Sequence, residues 1–350
     1  MPVSDLALVS LGTTPGLRAA DAALARMVRE LGLSCVLLPV YVGALAGRLR
    51  RQTAVTDAVE AIAARGAARE LPARAAVFST VTAALLQRPP SVPHAIRLDA
   101  PAALNRPGAS GAWQRAAERR AAARATLLLP WGEAAARALP SAAPRVVLPV
   151  PVDAPAPVAA SARDTDAVAY AGYPRKRGLD LLCAAWGLSG AGAEGRRLAI
   201  AGVPAERGRA WLARCGVAEP PGLEWVGALP RERWLERVAR ARVFVNASRW
   251  EDHGLSQLEA LAAGTPLVTV PSPGAYEALP LARTLDPSLV AAELSAEALA
   301  EALRAGLALS SPALAEYGAR AAELLAPYRP DAVRATLAER VLPVLGLEVP

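Results

Sequence analysis

Two glutamates, Glu251 and Glu259, stand with seven residues between them in the run "RWEDHGLSQLEALAAGTPLVTV", and Gly254 sits between them. Leu255, Leu258, Leu261 and Ala262 follow helical spacing. That spacing predicts a helix opening near Gly254 or Leu255 and stopping at Gly264-Thr265-Pro266. The unpaired backbone N–H groups at such a helix start, around Gly254–Gln257, form an anion site. Helical side chains lean toward the N-terminus, so Glu259 can reach back beside that site while Glu251 flanks it from the loop. Carboxylates do not bind phosphate but accept hydrogen bonds from hydroxyls. The set matches a ligand that presents hydroxyl, anion and hydroxyl in turn, the order of a nucleotide sugar. An acidic charge early in a helix is also favourable by itself, which leaves Glu259 a purely structural alternative.

Two other junctions carry similar chemistry. In "YAGYPRKRGLDLL", Arg175, Lys176 and Arg177 lie between a predicted strand and a helix led by Gly178. Three cations there suit a phosphate group, a solvated turn being the alternative. In "LAIAGVP" a strand ends at Gly202, where a glycine lets a ligand come close to the backbone. Lys176 is the only lysine among 39 basic residues, in a composition whose arginine abundance reads as a coding bias.

The elements that would position these groups alternate along the chain. Short apolar runs ("LALVS", "SCVLLPV", "AAVFST", "HAIRL", "TLLLP") are separated by helical patterns, as in strands buried on both faces of a parallel sheet. After a proline-rich stretch the grammar restarts with "AVAYAG", "RLAIAG", "LEWVG", "RVFVNAS" and "PLVTV". The expectation is an α/β chain of two tandem Rossmann-like, doubly wound units with a cleft between them. We place the first unit at 1–150, a linker at 151–166, and the second unit at 167–325. A C-terminal helix is placed at 326–350, its return to the first unit left open. Asp164 and Asp166 fall to the linker and form no metal pair.

The bulk numbers narrow the class. A chain of 350 residues, 53% hydrophobic, is long enough for two cores. No apolar run reaches the roughly 18–20 residues of a membrane span. The start "MPVSDLALVS" lacks a basic region before its apolar residues, so a signal peptide is not expected. Cys35, Cys183 and Cys215 are odd in number and scattered, and each reads as a small buried hydrophobe in a reducing compartment. Residues 1–150 hold 18 Arg against 9 acidic residues, a net of +9, while the rest of the chain has a net of −2. Arg48, Arg50, Arg51, Arg115, Arg119, Arg120 and Arg124 contribute to the excess. The split points to an anionic partner or surface for the first unit, a solvated arginine-rich face being the alternative.

The segment from Glu251 resembles the E-x7-E segment of family 4 glycosyltransferases of GT-B fold. The neighbouring "VAYAGYPRKRGLDLLCAAW", "LAIAG", "LEWVGALPRERWLERVARARVFVNAS" and "GAYEAL" are similar in the same order, over roughly 167–280. The resemblance implies a retaining, metal-independent glycosyltransferase with a nucleotide-diphosphate sugar as substrate and no cofactor. It gives Glu251 the hydroxyls of the donor sugar and Glu259 those of the ribose. Gly254 and Leu255 would offer N–H groups to the diphosphate, which Lys176, with Arg175 or Arg177, would neutralise.

The departures from the family pattern are specific. Tyr173 stands where the family has arginine after the glycine. Asp252, His253 and Ser256 replace glycine, an aromatic residue and proline. His253 either keeps the packing role or contacts the donor, and Ser256 joins the donor set. Asp99 occupies the place of a family histidine and is carried as a catalytic candidate, whereas His94 reads as the start of its strand. Gly12, Gly16, Asn105 and Arg106 are acceptor-side candidates. The acceptor is unknown, with an anionic or lipid-linked one and peripheral contact of the first unit with the inner face of the membrane both open. The expected location is cytoplasmic, without a nucleic-acid partner. Other GT-B chemistry, a phosphorylase or nucleotide-sugar epimerase, and a non-catalytic GT-B scaffold are the alternatives.

Overall fold

The computed structural model describes residues 3–42, 53–88, 91–139, 142–153, 155 and 158–350. Arg48, Arg50 and Arg51 lie outside the described residues. Internal contacts divide the chain into two units: Met1–Pro151 with Pro330–Pro350, and Val152–Arg329.

The first unit is built on five parallel strands: β1 (Ser4–Ser10), β2 (Cys35–Pro39), β3 (Ala73–Phe78), β4 (His94–Leu98) and β5 (Leu127–Pro130). Their order is β2-β1-β3-β4-β5. All five residues of β4 are buried, as the continuous apolar runs require. The helix Pro15–Glu30 starts where Thr14 accepts the N–H of Leu17 at 3.2 Å, a side-chain N-cap. One face of the sheet packs Leu6, Leu24, Leu127 and Leu129 against Val333, Leu337 and Leu342 from the C-terminal segment.

The second unit repeats the plan with β6 (Thr165–Tyr170), β7 (Leu198–Ala201), β8 (Leu223–Gly227), β9 (Ala241–Asn246) and β10 (Leu267–Thr269). Their order is β10-β9-β6-β7-β8, again all parallel. Winding proceeds from β6 one way to β8, then returns to β9 beside β6. Parallel doubly wound sheets bind ligands beyond the strand ends where the winding reverses. That point lies between β6 and β9 here, and between β1 and β3 in the first unit.

Several sequence expectations are corrected. Asp166 belongs to β6, where its Oδ2 accepts the N–H of Arg197 at 3.0 Å; Asp164, just before it, pairs with Arg240. Neither is a free linker residue, because the strand begins two residues earlier than its apolar run. Cys183 is buried, Cys35 is half-buried, and Cys215 is exposed at the end of the helix Ala205–Cys215, so it is no buried hydrophobe. The C-terminal segment is a series rather than one helix. A 3-10 turn at Ala326–Tyr328 leads to an α-helix at Pro330–Thr336, a π turn at Leu337–Val341 and a 3-10 turn at Pro343–Leu345. Prolines at 327, 330 and 343 remove the N–H groups that a continuous helix would use. Short helices at Val81–Ala84, Ala102–Asn105 and Glu133–Arg137 carry too few turns for apolar periodicity to show them.

The first unit also buries a charged pair that an apolar reading of β4 does not foresee. Arg97 and Asp21 are each 1% exposed, with Nη1 and Oδ1 3.2 Å apart. Ser10 donates to the other Asp21 oxygen at 2.5 Å, and the guanidinium lies 5.3 Å from the Trp131 ring centre. Burial pushes the Asp21 carboxyl above its ordinary value against the pull of Arg97. Removing one member of such a pair strands the other charge. Asp21→Asn is therefore expected to destabilise the fold by about 3–5 kcal/mol, read as a lower denaturation midpoint in urea at unchanged slope.

Candidate active site

The residues singled out around β6 and β9 converge at the reversal point of the second sheet. From β6 the chain runs through Gly172 and the Tyr173–Gly178 loop into the helix Leu179–Ser189. From β9 it runs through residues 247–254 into the helix Leu255–Ala262. The two loops touch. Gly178 has φ +59°, and a Cβ there would fall 2.0 Å from the Ala247 carbonyl oxygen, so any other residue would push the loops apart. Arg249 N–H donates to the Lys176 carbonyl at 2.9 Å, and its guanidinium pairs with Asp180 at 2.6 Å.

Both glutamates are buried at 2% exposure, and both are held by cations. Glu251 pairs with Arg177 at 2.6 Å, through Nη1 to both carboxylate oxygens, and accepts the Gln257 side-chain N–H at 2.7 Å. Arg177 also lies 5.6 Å from the Tyr170 ring centre. Glu259 accepts from Arg231 and, at 3.2 Å, from the indole N–H of Trp234, both on the helix Arg231–Ala239. It is the fifth residue of its helix, and the first turn holds no acid. The structural alternative of a first-turn charge therefore does not describe it. Burial pushes the Glu259 carboxyl above its ordinary value, with Arg231 pulling the other way.

Gly254 sits at the helix start with φ +88°, and a Cβ there would lie 2.8 Å from the ring of Tyr276. Leu255 and Ser256 are the first two helical residues, both half-buried. His253 is buried, and its carbonyl accepts the Glu277 N–H at 3.1 Å. Lys176 pairs with Asp252 at 2.6 Å, while Arg175 and Tyr173 are exposed. Gly202 follows β7 with φ +86°. Arg231, Trp234 and Gln257 have no signal in the sequence, because each pairing spans a loop or a separate helix.

In the first unit, Asp99 follows the end of β4 and accepts the Ala100 N–H at 2.8 Å. The Asn105 side chain donates to the Ala100 carbonyl at 3.4 Å. Arg106 pairs with Asp57 of the helix Thr53–Ala67, with contacts of 2.7 and 3.1 Å. Gly12 has φ +51° and its carbonyl accepts from Arg18 at 2.8 Å, while Gly16 lies in the first turn of its helix with open space around it. Glu118, from the helix Ala112–Ala122, accepts the Ala102 N–H at 2.7 Å and so anchors the Asp99–Arg106 segment.

Residues 165–308 match the family described as Glycosyl transferases group 1. The matched segment lies within the second unit. Among solved structures, the sucrose-phosphate synthase from Thermosynechococcus elongatus superposes with a TM-score of 0.70 at 16% identity, covering 95% of this chain and 97% of that one. A glycosyltransferase from Rickettsia africae gives 0.66 at 11% identity, covering 99% of each chain. WaaG, a glycosyltransferase involved in lipopolysaccharide biosynthesis, gives 0.66 at 16% identity, covering 95% and 100%. A search of curated protein sequences found no match. The fold is GT-B, with two Rossmann-like units of five strands each.

Burial raises the Glu118 carboxyl from its ordinary 4.5 to about 7, against the Ala102 hydrogen bond and the nearby Arg106 and Arg119. A folded-state value above the unfolded one means the native state binds more protons, so this contribution is present below 4.5 and is lost as pH rises through about 7. Glu118→Gln keeps the acceptor for Ala102 and removes the titration. The variant is expected to lose less stability than the parent as pH rises through that window, measured by urea denaturation across the range.

Proposed function

We propose that the chain is a retaining, metal-independent glycosyltransferase that moves a sugar from a nucleotide-diphosphate donor to an acceptor. The observation that carries the reading is the placement of Glu251 and Glu259 on either side of the Gly254-led helix start at the β6/β9 reversal. Lys176 and Arg177 lie in the loop held against it. The matched domain over 165–308 supports the same reading.

In this reading the diphosphate lies at the N–H groups of the helix start, and its charge is met by Lys176 and Arg177. Arg177 contacts Glu251 through one nitrogen, and a guanidinium carries five donors, so one side chain can hold Glu251 and a phosphate oxygen together. Glu259, braced by Arg231 and Trp234, accepts the ribose hydroxyls. Glu251 accepts hydroxyls of the donor sugar. With Arg177 and Gln257 already donating to its oxygens, Glu251 is a poor nucleophile, and its remaining lone pairs are what it offers to sugar hydroxyls. The bond from the anomeric carbon to the phosphate oxygen breaks as the bond to the acceptor oxygen forms on the same face. The departing phosphate oxygen takes the acceptor proton. Retention is what the resemblance of 167–280 implies, and the cations with the helix start supply the charge stabilisation that a metal would otherwise give.

The basic excess of the first 150 residues supports an anionic or lipid-linked acceptor at a cytoplasmic site, with peripheral contact at the membrane. Among the described residues no helix is long and apolar enough to cross a membrane.

Glu259→Ala is expected to weaken binding of a free nucleoside diphosphate by about 1–3 kcal/mol, the cost of losing a charged hydrogen bond. Glu251→Gln is expected to lower turnover while leaving that affinity near the parent's. Calorimetry with UDP and GDP checks both, and equal losses in the two variants would reverse the proposed orientation of the donor. Lys176→Ala is expected to lower kcat/KM about tenfold or more despite its arginine neighbours, since a guanidinium does not replace an ammonium at a phosphate freely. Steady-state donor turnover measures it, and a near-parent value would remove Lys176 from the site.

A further inference from the structure

The first unit holds a cavity of about 640 Å³ that the transfer reaction leaves unused. Arg65 and Arg69 reach it from the end of the helix Thr53–Ala67 and the turn beyond, and Arg88 from the segment after Val81–Ala84. Leu71 and Ile62 give it an apolar wall over the buried Phe78, and no carboxylate among the described residues lines it. A second small cavity shares Phe78 and Arg88 and adds Arg124 and His94.

Arginines outnumber acidic residues in the first 150 residues, so several of them, Arg119, Arg120 and Arg124 included, make no ion pair among the described residues. Asp5, Asp21, Glu30 and Asp57 each pair with an arginine there. Arg65, Arg69 and Arg88 make no ion pair among the described residues, yet they converge on one space from two chain segments. A cation in the last turn of a helix meets the negative end of its dipole, so Arg65 alone would need no ligand. Arg88 has no such reason to be there. All three side chains are exposed, so solvent screens their mutual repulsion and leaves each guanidinium accessible to an anion.

Most of the lining lies toward the start of β4, although Phe78, the last residue of β3, lines the cavity too. Ser91 lines it and precedes β4, whereas Asp99 follows β4. The strand between them spans about 16 Å at ~3.3 Å per residue. Ile62 is 62% exposed at the cavity wall, an uncovered apolar group beside three cations.

We propose that this cavity binds the phosphate monoester of an amphiphilic ligand, with Arg65, Arg69 and Arg88 on the phosphate oxygens and the apolar part of the ligand along Leu71 and Ile62. Guanidinium forks match phosphate oxygens in geometry as well as charge. A soluble phosphate ester and a lipid headgroup share this chemistry.

The full chain is titrated with glycerol 3-phosphate by calorimetry and sedimented with phosphatidylcholine vesicles with and without phosphatidic acid. Arg65→Ala/Arg88→Ala is compared with Arg26→Ala, a basic residue of another helix, and thermal melts without ligand verify that each variant folds. Binding of glycerol 3-phosphate, or of phosphatidic acid vesicles only, supports the soluble or the headgroup source respectively. In either case the double variant is expected to bind about a hundredfold more weakly, roughly tenfold per arginine, with Arg26→Ala unchanged. Arg88→Lys, which keeps the charge and loses the fork, should bind between the two. No binding to either probe overturns the proposal, as does binding that the double variant retains or that Arg26→Ala lowers equally. These measurements read binding alone and stand apart from any test of sugar transfer.

Discussion

Arg177 and Glu251 meet 2.6 Å apart at the reversal of the second sheet, and the surrounding loops are shaped to allow that pair. Glu251 is nearly inaccessible, and taking a carboxylate out of water costs several kcal/mol before any partner is counted. Arg177 offsets part of that cost, Gln257 supplies a further hydrogen bond, and the Gly178–Ala247 contact keeps the two loops close enough for both. Such a pair adds little to stability compared with an apolar core of equal volume. Its value lies in position: a carboxylate fixed from two sides offers its remaining lone pairs in set directions.

The wall behind Glu251 is similarly fixed. Asn246 at the end of β9 donates to Thr269 at 3.1 Å and to Tyr276 at 3.2 Å, and accepts from the Ser248 hydroxyl at 2.7 Å. Burial pushes the Tyr276 hydroxyl well above its ordinary value, so it stays protonated and can serve this network as a donor. Its ring fills the space beside Gly254 where a side chain would otherwise be. The positive φ at Gly254 and the packing of Tyr276 are two aspects of one constraint. Both leave the backbone N–H groups at the helix start uncovered by a Cβ.

The sheets were legible in the sequence because strands buried on both faces must be apolar throughout, and "HAIRL" was readable even with an arginine inside it. What that arginine does was not legible, since its partner Asp21 comes from a distant helix. The same limit hid Arg231, whereas Gln257 lies only six residues from Glu251 and was hidden because spacing does not show which way a loop carboxylate turns. The spacing of Glu259 to Gly254 made it a candidate, but the cation that braces it lies 28 residues earlier. The partner of Arg106 was hidden in the same way: its loop position made it an acceptor-side candidate, and the pairing with Asp57 on a helix 49 residues earlier carries no local signal. The C-terminal segment misled through helical periodicity, which prolines interrupt at intervals too short to end the apolar pattern.

The cations of the Arg175–Arg177 loop are not equivalent, and their surroundings rank them for the proposed phosphate role. Arg177 is tied to a buried carboxylate and stacked near Tyr170, so pulling it away would strand Glu251. Lys176 is paired with Asp252, with 38% of its own side chain and 24% of the aspartate's exposed to solvent. Exposed pairs of this kind contribute about 0–1 kcal/mol. Exchanging Asp252 for a phosphate oxygen is therefore nearly free for Lys176. The indole N–H of Trp250 already donates to the other Asp252 oxygen at 2.7 Å, so the aspartate keeps a partner when the lysine leaves. In the proposed reading, Arg177 holds the site's shape and Lys176 is the cation free to exchange its partner for a diphosphate.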